Sequence, residues 1–70
     1  MEILVFKTNI QLREDIQKVG NILMKEKDIL AWNVDMEDCD KVLRVEAATD
    51  ITRKVEFLVT DAGYHCCELS

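Results

Sequence analysis

The stretch from Ile29 to Ala47, ILAWNVDMEDCDKVLRVEA, decides the fold because it contains two runs of alternating apolar and polar residues. In the first run, Ile29–Asp35, large apolar residues occupy every second position: Leu30, Trp32 and Val34. The second run, Val42–Ala47, alternates in the same way. Alternation with period two is typical of half-buried strands. Since the acidic segment Glu37–Asp40 separates the two runs, we predict a β-hairpin with a loop of about four or five residues.

On the amino-terminal side of this hairpin, the sequence predicts one strand and one helix. Glu2–Lys7 is short and rich in β-branched residues, and polar residues follow it, so we expect a strand. Between Leu12 and Lys27, apolar residues recur three or four positions apart: Leu12, Ile16, Val19 and Leu23. This spacing is typical of an amphipathic helix with one buried face. Acidic residues near its start and lysines near its end suit the helix dipole.

On the carboxyl-terminal side, the sequence predicts a second helix and a last strand. The cap of this helix comes from one of three residues: Thr49, Asp50 or Thr52. Its apolar stripe consists of Val55, Leu58, Val59 and Ala62. Gly63 stands where a left-handed residue would end the helix. Tyr64–Leu69 is predicted to be the last strand.

The order strand, helix, strand, strand, helix, strand predicts an α+β fold of the ferredoxin-like βαββαβ type. We expect residues 1–70 to form one domain, in which a four-stranded antiparallel sheet carries both helices on one face. This topology brings three loops to the same end of the molecule: Thr8–Asp15, Glu37–Asp40 and Gly63–His65. A site built from loops is therefore expected at that end.

Composition and charge exclude several classes of protein. Apolar residues make up 49% of the chain and charged residues 33%, which is typical of a folded globule. The net charge of −5 repels phosphate groups, so we expect neither nucleic acid nor a membrane surface as a partner. The segment Met1–Phe6 has an acid where a signal peptide is basic, and it is too short to span a bilayer, which predicts a cytoplasmic protein. Three cysteines without an export signal predict reduced thiols.

Four short segments and one helix residue give the chain a resemblance to a known family. They are Phe6–Ile10, Val19, Trp32–Asp35, Lys41–Glu46 and Asp61–Tyr64. In this order they resemble the heavy-metal-associated domain, the unit of copper chaperones and of the amino-terminal regions of metal-pumping ATPases. The resemblance covers essentially the whole chain and implies the same βαββαβ fold. It also implies a loop before the first helix in which a methionine and then Cys-x-x-Cys hold a soft metal ion.

The residues that this family uses to hold its metal are absent. Ile10 stands where the methionine would be, and Leu12 and Asp15 stand where the two cysteines would be. An aliphatic side chain and one hard carboxylate cannot replace two thiolates for an ion such as Cu(I). We therefore expect no cofactor at Leu12 and Asp15, and the metal activity of the family does not carry over to them.

Cys39, His65 and Cys67 are the alternative ligands for copper or zinc. The predicted topology puts Cys39 and His65 near the vacated end, and His65 and Cys67, two apart on one strand, share a face. Because zinc and copper sites need three or four convergent ligands, such a site could be completed across a dimer. The other interpretation is a solvated histidine with incidental thiols. Cys66 should point toward the helices together with Tyr64, as a small core residue.

The sequence offers no catalytic arrangement. It has one histidine, no serine with a histidine and an aspartate as partners, and no glycine-rich phosphate loop around Arg13. We therefore predict that the chain is not an enzyme but a non-catalytic interaction or regulatory module. The alternative prediction is a copper- or zinc-binding protein with relocated ligands.

Two surfaces are predicted to meet other molecules. Ile3, Val5 and Val42 fall on the sheet face away from the helices, and an open face with several aliphatic residues indicates a protein partner or self-association. The acidic hairpin tip Glu37–Asp40 would attract a basic partner or a hard cation.

Overall fold

The computed structural model describes residues 1–69 and has the predicted ferredoxin-like architecture. In chain order its elements are β1 (Glu2–Thr8), α1 (Arg13–Leu23), β2 (Ile29–Asp35), β3 (Val42–Ala47), α2 (Thr52–Asp61) and β4 (Cys66–Glu68). The strands form one antiparallel sheet in the order β2-β3-β1-β4. The buried residues of both helices join one core cluster, so both helices pack on the same face of the sheet. The prediction of an α+β, βαββαβ fold is confirmed.

The core lies between the helices and the inward face of the sheet. Leu4 and Phe6 of β1 pair with Val45 and Leu43 of β3, and neighbours across a ladder share a face. The helices contribute four further buried residues to this core: Val19, Leu23, Val55 and Val59. The period-two and helical stripes in the sequence predicted these faces because each stripe must be removed from water.

Trp32 extends from β2 onto α1 at Gly20. A Cβ atom added to Gly20 would overlap the ring atoms Cζ2 and Cη2 of Trp32, so the absence of a side chain is what lets the ring lie against the helix. Trp32 also packs against the buried core cluster. Trp32 is therefore part of the packing between β2 and α1.

The helix α1 is shorter than predicted, since it spans Arg13–Leu23 instead of Leu12–Lys27. Leu12 is its exposed N-cap residue. Beyond Leu23 the chain turns, and the backbone N–H of Glu26 donates to Leu23 O at 3.0 Å. The apolar stripe has no buried member in that turn, so tertiary packing does not support another helical turn.

Leu30 does not face the core as the alternation predicted. It is 56% exposed because the register of β2 shifts between Ile29 and Ala31. This β-bulge places an extra residue in β2 opposite β3, so Ile29 takes the inward place and is buried. A bulge leaves no signature in the polar and apolar pattern of a single strand.

The helix α2 begins at Thr52, and the side chain of Asp50, two residues earlier, accepts hydrogen bonds from Thr52. Ile51 is the N-cap residue and provides no side-chain cap. Asp50 Oδ1 accepts hydrogen bonds from Thr52 N at 3.1 Å and from Thr52 Oγ1 at 2.6 Å. Gly63 has a φ of 102°, the left-handed conformation that was predicted for the end of this helix. Within residues 1–69, no helix is both long and apolar enough to cross a membrane.

The strand β4 comprises Cys66–Glu68 instead of Tyr64–Leu69. Tyr64 and His65 lie outside it because their backbone N–H groups donate elsewhere, to Val59 O of α2 and to Asn9 Oδ1. The shortening of this strand is thus part of how the loop end of the molecule is built.

Candidate functional site

The three loops that were expected at one end of the molecule do meet there. Thr8, at the end of β1, donates from its backbone N to Asp40 O at 3.0 Å and from Oγ1 to Lys41 O at 2.6 Å. The backbone N–H of His65 donates to Asn9 Oδ1 at 2.9 Å. The hairpin loop and the α2–β4 turn are therefore both tied to the β1–α1 loop, and the predicted gathering of loops is confirmed.

The β1–α1 loop has a buried anchor and an exposed tip. Ile10 is fully buried, and its backbone N–H donates to Thr8 Oγ1 at 3.3 Å. Leu12 is 59% exposed. By the resemblance, these are the positions of the methionine and of the first cysteine. The anchor has thus stayed apolar, while the first ligand position carries an aliphatic side chain that has no lone pair to offer an ion.

Asp15, at the position of the second family cysteine, closes the loop with its carboxylate. Its Oδ2 accepts hydrogen bonds from the backbone N–H groups of Leu12, at 2.9 Å, and Gln11, at 3.2 Å. Its Oδ1 accepts a hydrogen bond from the Tyr64 hydroxyl at 2.8 Å. Asp15 is the third residue of α1, where an acidic side chain can reach back to the N-cap N–H. The N–H groups of Gln11 and Leu12 therefore already have an acceptor within the protein.

These hydrogen bonds change the titration of both partners. The Leu12 N–H, the Tyr64 hydroxyl and the Gln11 N–H, in that order, hold the pKa of Asp15 below its ordinary value of 3.8, and Lys18 adds to this. The bond to Asp15, followed by partial burial, raises the pKa of Tyr64 above its ordinary value of 10.0. Lys18 Nζ also lies 5.8 Å from the centre of the Tyr64 ring, within the range of a cation–π contact.

The Asp15–Tyr64 bond gives a testable pH dependence of stability. Asp15 has a lowered pKa in the fold, so its contribution is present above pH 3.8 and is lost as the pH falls through the folded pKa. Tyr64 has a raised pKa, so its contribution is present below pH 10.0 and is lost as the pH rises through the folded pKa. We expect Tyr64→Phe to remove the part of the alkaline loss that Tyr64 contributes, to leave the part that Cys66 contributes through its own raised pKa, and to weaken the acidic loss. Urea midpoints measured from pH 3 to 11 check this, and an unchanged alkaline limb in the variant would contradict it.

Asp15 and Tyr64 form a pair at the loop end that no pattern in the sequence predicted. From its position in the sequence, Asp15 is only a lost ligand and an acid suited to the helix dipole. The available signal was an acidic residue three positions after the N-cap, which is half of a capping box. Tyr64 and Asp15 are 49 positions apart in the chain, so no local sequence pattern predicts their contact.

The cysteines are spread over the loop end and β4. In the part of the chain that the structure describes, one group of potential metal ligands has its atoms within 4.8 Å of one another: Asp38, Cys39 and Asp40. His65 and Cys67 are exposed and lie outside this group. The predicted set of Cys39, His65 and Cys67 remains a prediction, and it requires a movement of the chain or ligands from a second chain.

Cys66 faces the core as expected. Its pKa is raised to about 12, mainly by burial and to a smaller extent by the negative charges of Glu56 and Cys67. Because the thiolate is the reactive form, a pKa of about 12 instead of 9.0 leaves about a thousandfold less of it at pH 8. We expect iodoacetamide to alkylate the exposed Cys39 and Cys67 rapidly and Cys66 far more slowly. Mass spectrometry of a time course checks this, and equal rates for all three thiols would contradict it.

Comparison with known proteins gives a likeness in structure without one in sequence. No protein-family model and no curated protein matches the chain. The structure superposes on the N-terminal domain of ZntA in its apo form with a TM-score of 0.86, 22% identity, and coverage of 97% of this chain and 92% of that one. The ZntA domain has also been solved in a Zn(II) form.

Two copper-loaded domains have the same fold. The yeast copper transporter domain CCC2A, known in apo and Cu(I)-loaded states, matches with a TM-score of 0.86, 11% identity, and coverage of 100% and 97% of the two chains. The first domain of the human copper chaperone for SOD1, in its copper(I)-loaded form, matches with a TM-score of 0.79, 17% identity, and coverage of 94% and 89%. The TM-scores show a shared fold, and at the level of the fold the resemblance drawn from the sequence is confirmed.

Proposed function

We propose that this chain, which has the fold of the metal-binding domains of ZntA, CCC2A and the copper chaperone for SOD1, is a non-catalytic interaction or regulatory module whose loop holds no soft metal. One observation carries the proposal. The Asp15 carboxylate accepts three hydrogen bonds from its own loop end, two from backbone N–H groups and one from Tyr64. The Asp15 side chain joins the β1–α1 loop to Tyr64 of the α2–β4 turn, and its oxygens are occupied by donors of the protein itself.

The donor set of the loop does not fit copper. Cu(I) is a soft ion that favours thiolate and thioether sulfur, whereas Asp15 offers hard oxygens and Leu12 offers none. An ion at Asp15 would also have to displace the Leu12, Gln11 and Tyr64 donors. The Tyr64 bond is partly buried, and a partly buried donor without a partner costs free energy, so the displacement of Tyr64 would work against binding.

The proposed role follows from what the module keeps. We propose that residues 1–70 form a single domain. Because its three thiols are free, we propose the cytoplasm as its compartment. We propose a protein as its partner, including a second copy that binds through the open sheet face. Within residues 1–69, no cluster of potential metal ligands includes His65, and the loop before Arg13 has no glycine, so we propose no catalytic role.

A second candidate function rests on the Asp38, Cys39 and Asp40 group. One thiol and two carboxylates within 4.8 Å could hold Zn(II) or copper as cargo, with further ligands from His65 and Cys67 or from another chain. Two contacts compete with an ion there. Lys7 Nζ lies 3.6 Å from Asp40 Oδ1, and Asp38 Oδ1 accepts a hydrogen bond from Asp40 N at 2.8 Å. We therefore rank this candidate second.

Competition for metal separates the two functions. The reduced protein is mixed with Cu(I) or Zn(II) and a chelator of known affinity, and the metal that stays with the protein is measured. We expect both ions to remain with the chelator. Retention of one ion per chain that is lost in Cys39→Ser or Cys67→Ser would favour the second candidate, and retention that survives both substitutions would place the ion at the loop and overturn the proposal.

A further inference from the structure

The sheet face that points away from the helices has no covering element within residues 1–69. Its outward residues lie in rows that the strand register defines. One row is Ala31, Glu46 and Ile3, and the next is Asn33, Arg44 and Val5. We call this surface the open face. Ile3 is 50% exposed, and Val5 and Val42 are half-buried, so aliphatic surface lies at its centre.

The charges of the open face differ from those of the rest of the molecule. Its outward side chains include two cations, Lys7 and Arg44, and two anions, Asp35 and Glu46. Lys7 lies 3.6 Å from Asp40, so with this partner counted the face carries one net negative charge in a chain of net charge −5. Neither Arg44 nor Glu46 forms an ion pair within residues 1–69. A face with so small a net charge can meet a copy of itself with less repulsion than other surfaces of this acidic chain would experience.

We infer that the open face binds the open face of a second copy of this chain, with Arg44 of each copy paired to Glu46 of the other. The two-fold axis lies in the plane between the two sheets, perpendicular to the strands and level with Val45 of β3. It therefore reverses the strand direction and brings position 44 of one copy opposite position 46 of the other, twice, as an isologous interface requires. On β1 the same axis brings Ile3 opposite Val5, also twice, because Ile3 pairs with Glu46 and Val5 with Arg44.

The area of the open face sets the strength of this contact. Four strands spaced about 4.8 Å apart, with a rise of about 3.3 Å per residue, give a face of roughly 400 Å² per copy. Two copies then bury about 800 Å², which is less than the roughly 1,200–2,000 Å² of stable complexes. The dimer is therefore weak and reversible, and it forms at protein concentrations on the order of 1 mM. This inference names a partner for the proposed interaction module and rests on that proposal.

Charge reversal tests the pairing directly. Arg44→Glu makes both central pairs repulsive, and we expect self-association to weaken at least about tenfold. Glu46→Arg also makes both pairs repulsive, because it places an arginine opposite Arg44 of the other copy. A mixture of the two variants restores opposite charges across the axis, so the mixture associates where neither variant does alone. Arg53→Glu, on an exposed position of α2, changes the net charge as Arg44→Glu does and is expected to leave association unchanged.

The measurement is sedimentation equilibrium from about 0.05 to 1 mM, together with amide shifts of labelled Arg44→Glu mixed with unlabelled Glu46→Arg. Concentration-dependent dimerisation, its loss in each variant and its return in the mixture, with shifts at Ile3 and Val5, are the expected results. A wild-type monomer at 1 mM, an effect of Arg53→Glu equal to that of Arg44→Glu, or a mixture that stays monomeric would each overturn the inference. Metal uptake by the loop would overturn the proposed function and leave this dimer untouched.

Discussion

Replacing Leu12 and Asp15 together with cysteine is expected to convert a loop that leaves Cu(I) with a chelator into one that takes up one ion per chain. The two positions are i and i+3 at the start of α1, and side chains at this spacing are neighbours on a helix. The helix N-terminus lowers the pKa of a thiol, so both cysteines would be present partly as thiolates. The exposed Leu12 can be replaced without loss of core packing.

The experiment is a chelator competition in a background where Cys39 and Cys67 are serine, so that the new thiols are the accessible ones. Leu12→Ser with Asp15→Ser is the matched control, because it removes the same two side chains and supplies no soft ligand. We expect stoichiometric Cu(I) in the cysteine variant and none in the control. Failure of a folded cysteine variant to retain Cu(I) would show that the loop has lost the geometry of a metal site as well as its ligands.

Replacing Phe6 with alanine is expected to lower the free energy of unfolding by about 3–5 kcal/mol. Phe6 is fully buried where β1 pairs with Leu43 of β3, so the substitution removes a ring from the centre of the core. A domain of this size has a total stability of roughly 3.5–10 kcal/mol, at about 0.05–0.15 kcal/mol per residue. The variant therefore loses a large part of its stability.

The chain offers a matched control for this prediction in its other phenylalanine. Phe57 lies on α2 and is 65% exposed, so Phe57→Ala is expected to change stability by no more than about 0.5 kcal/mol. Guanidinium unfolding followed by the emission of Trp32, the one tryptophan, gives both values. Equal losses in the two variants would contradict the assignment of Phe6 to the core.

The fold could be predicted from the sequence because each element has a periodic stripe that burial imposes. The hairpin bounds, Ile29–Asp35 and Val42–Ala47, agree with the structure because alternation stops where the acidic segment begins. The differences arise where tertiary contacts decide. Two differences depend on how the chain turns between α1 and β2: the bulge that exposes Leu30 and the early end of α1 at Leu23. The apolar stripes of the sequence do not predict that turn.

The location of the candidate site could be predicted from the sequence, but the contacts of its residues could be predicted only in part. Topology alone brought the three loops to one end, and the hydrogen bonds of Thr8 and His65 confirm it. The loss of the family ligands at Leu12 and Asp15 was also visible in the sequence. That Asp15 binds its own loop and Tyr64 was not, since the Tyr64 hydroxyl reaches it across the whole fold. The ligand set of Cys39, His65 and Cys67 remains a prediction.

The most direct test of the closed loop is residue-resolved titration of the reduced wild-type protein with Cu(I), followed by amide chemical shifts. The amides of Gln11, Leu12 and Tyr64 report on the hydrogen bonds that surround Asp15. With Cu(I) at one equivalent and a chelator present, we predict that these three amides keep their metal-free shifts. Joint movement of the three amides, complete at one ion per chain, would contradict the account, because it would mean that the loop opens to hold the metal.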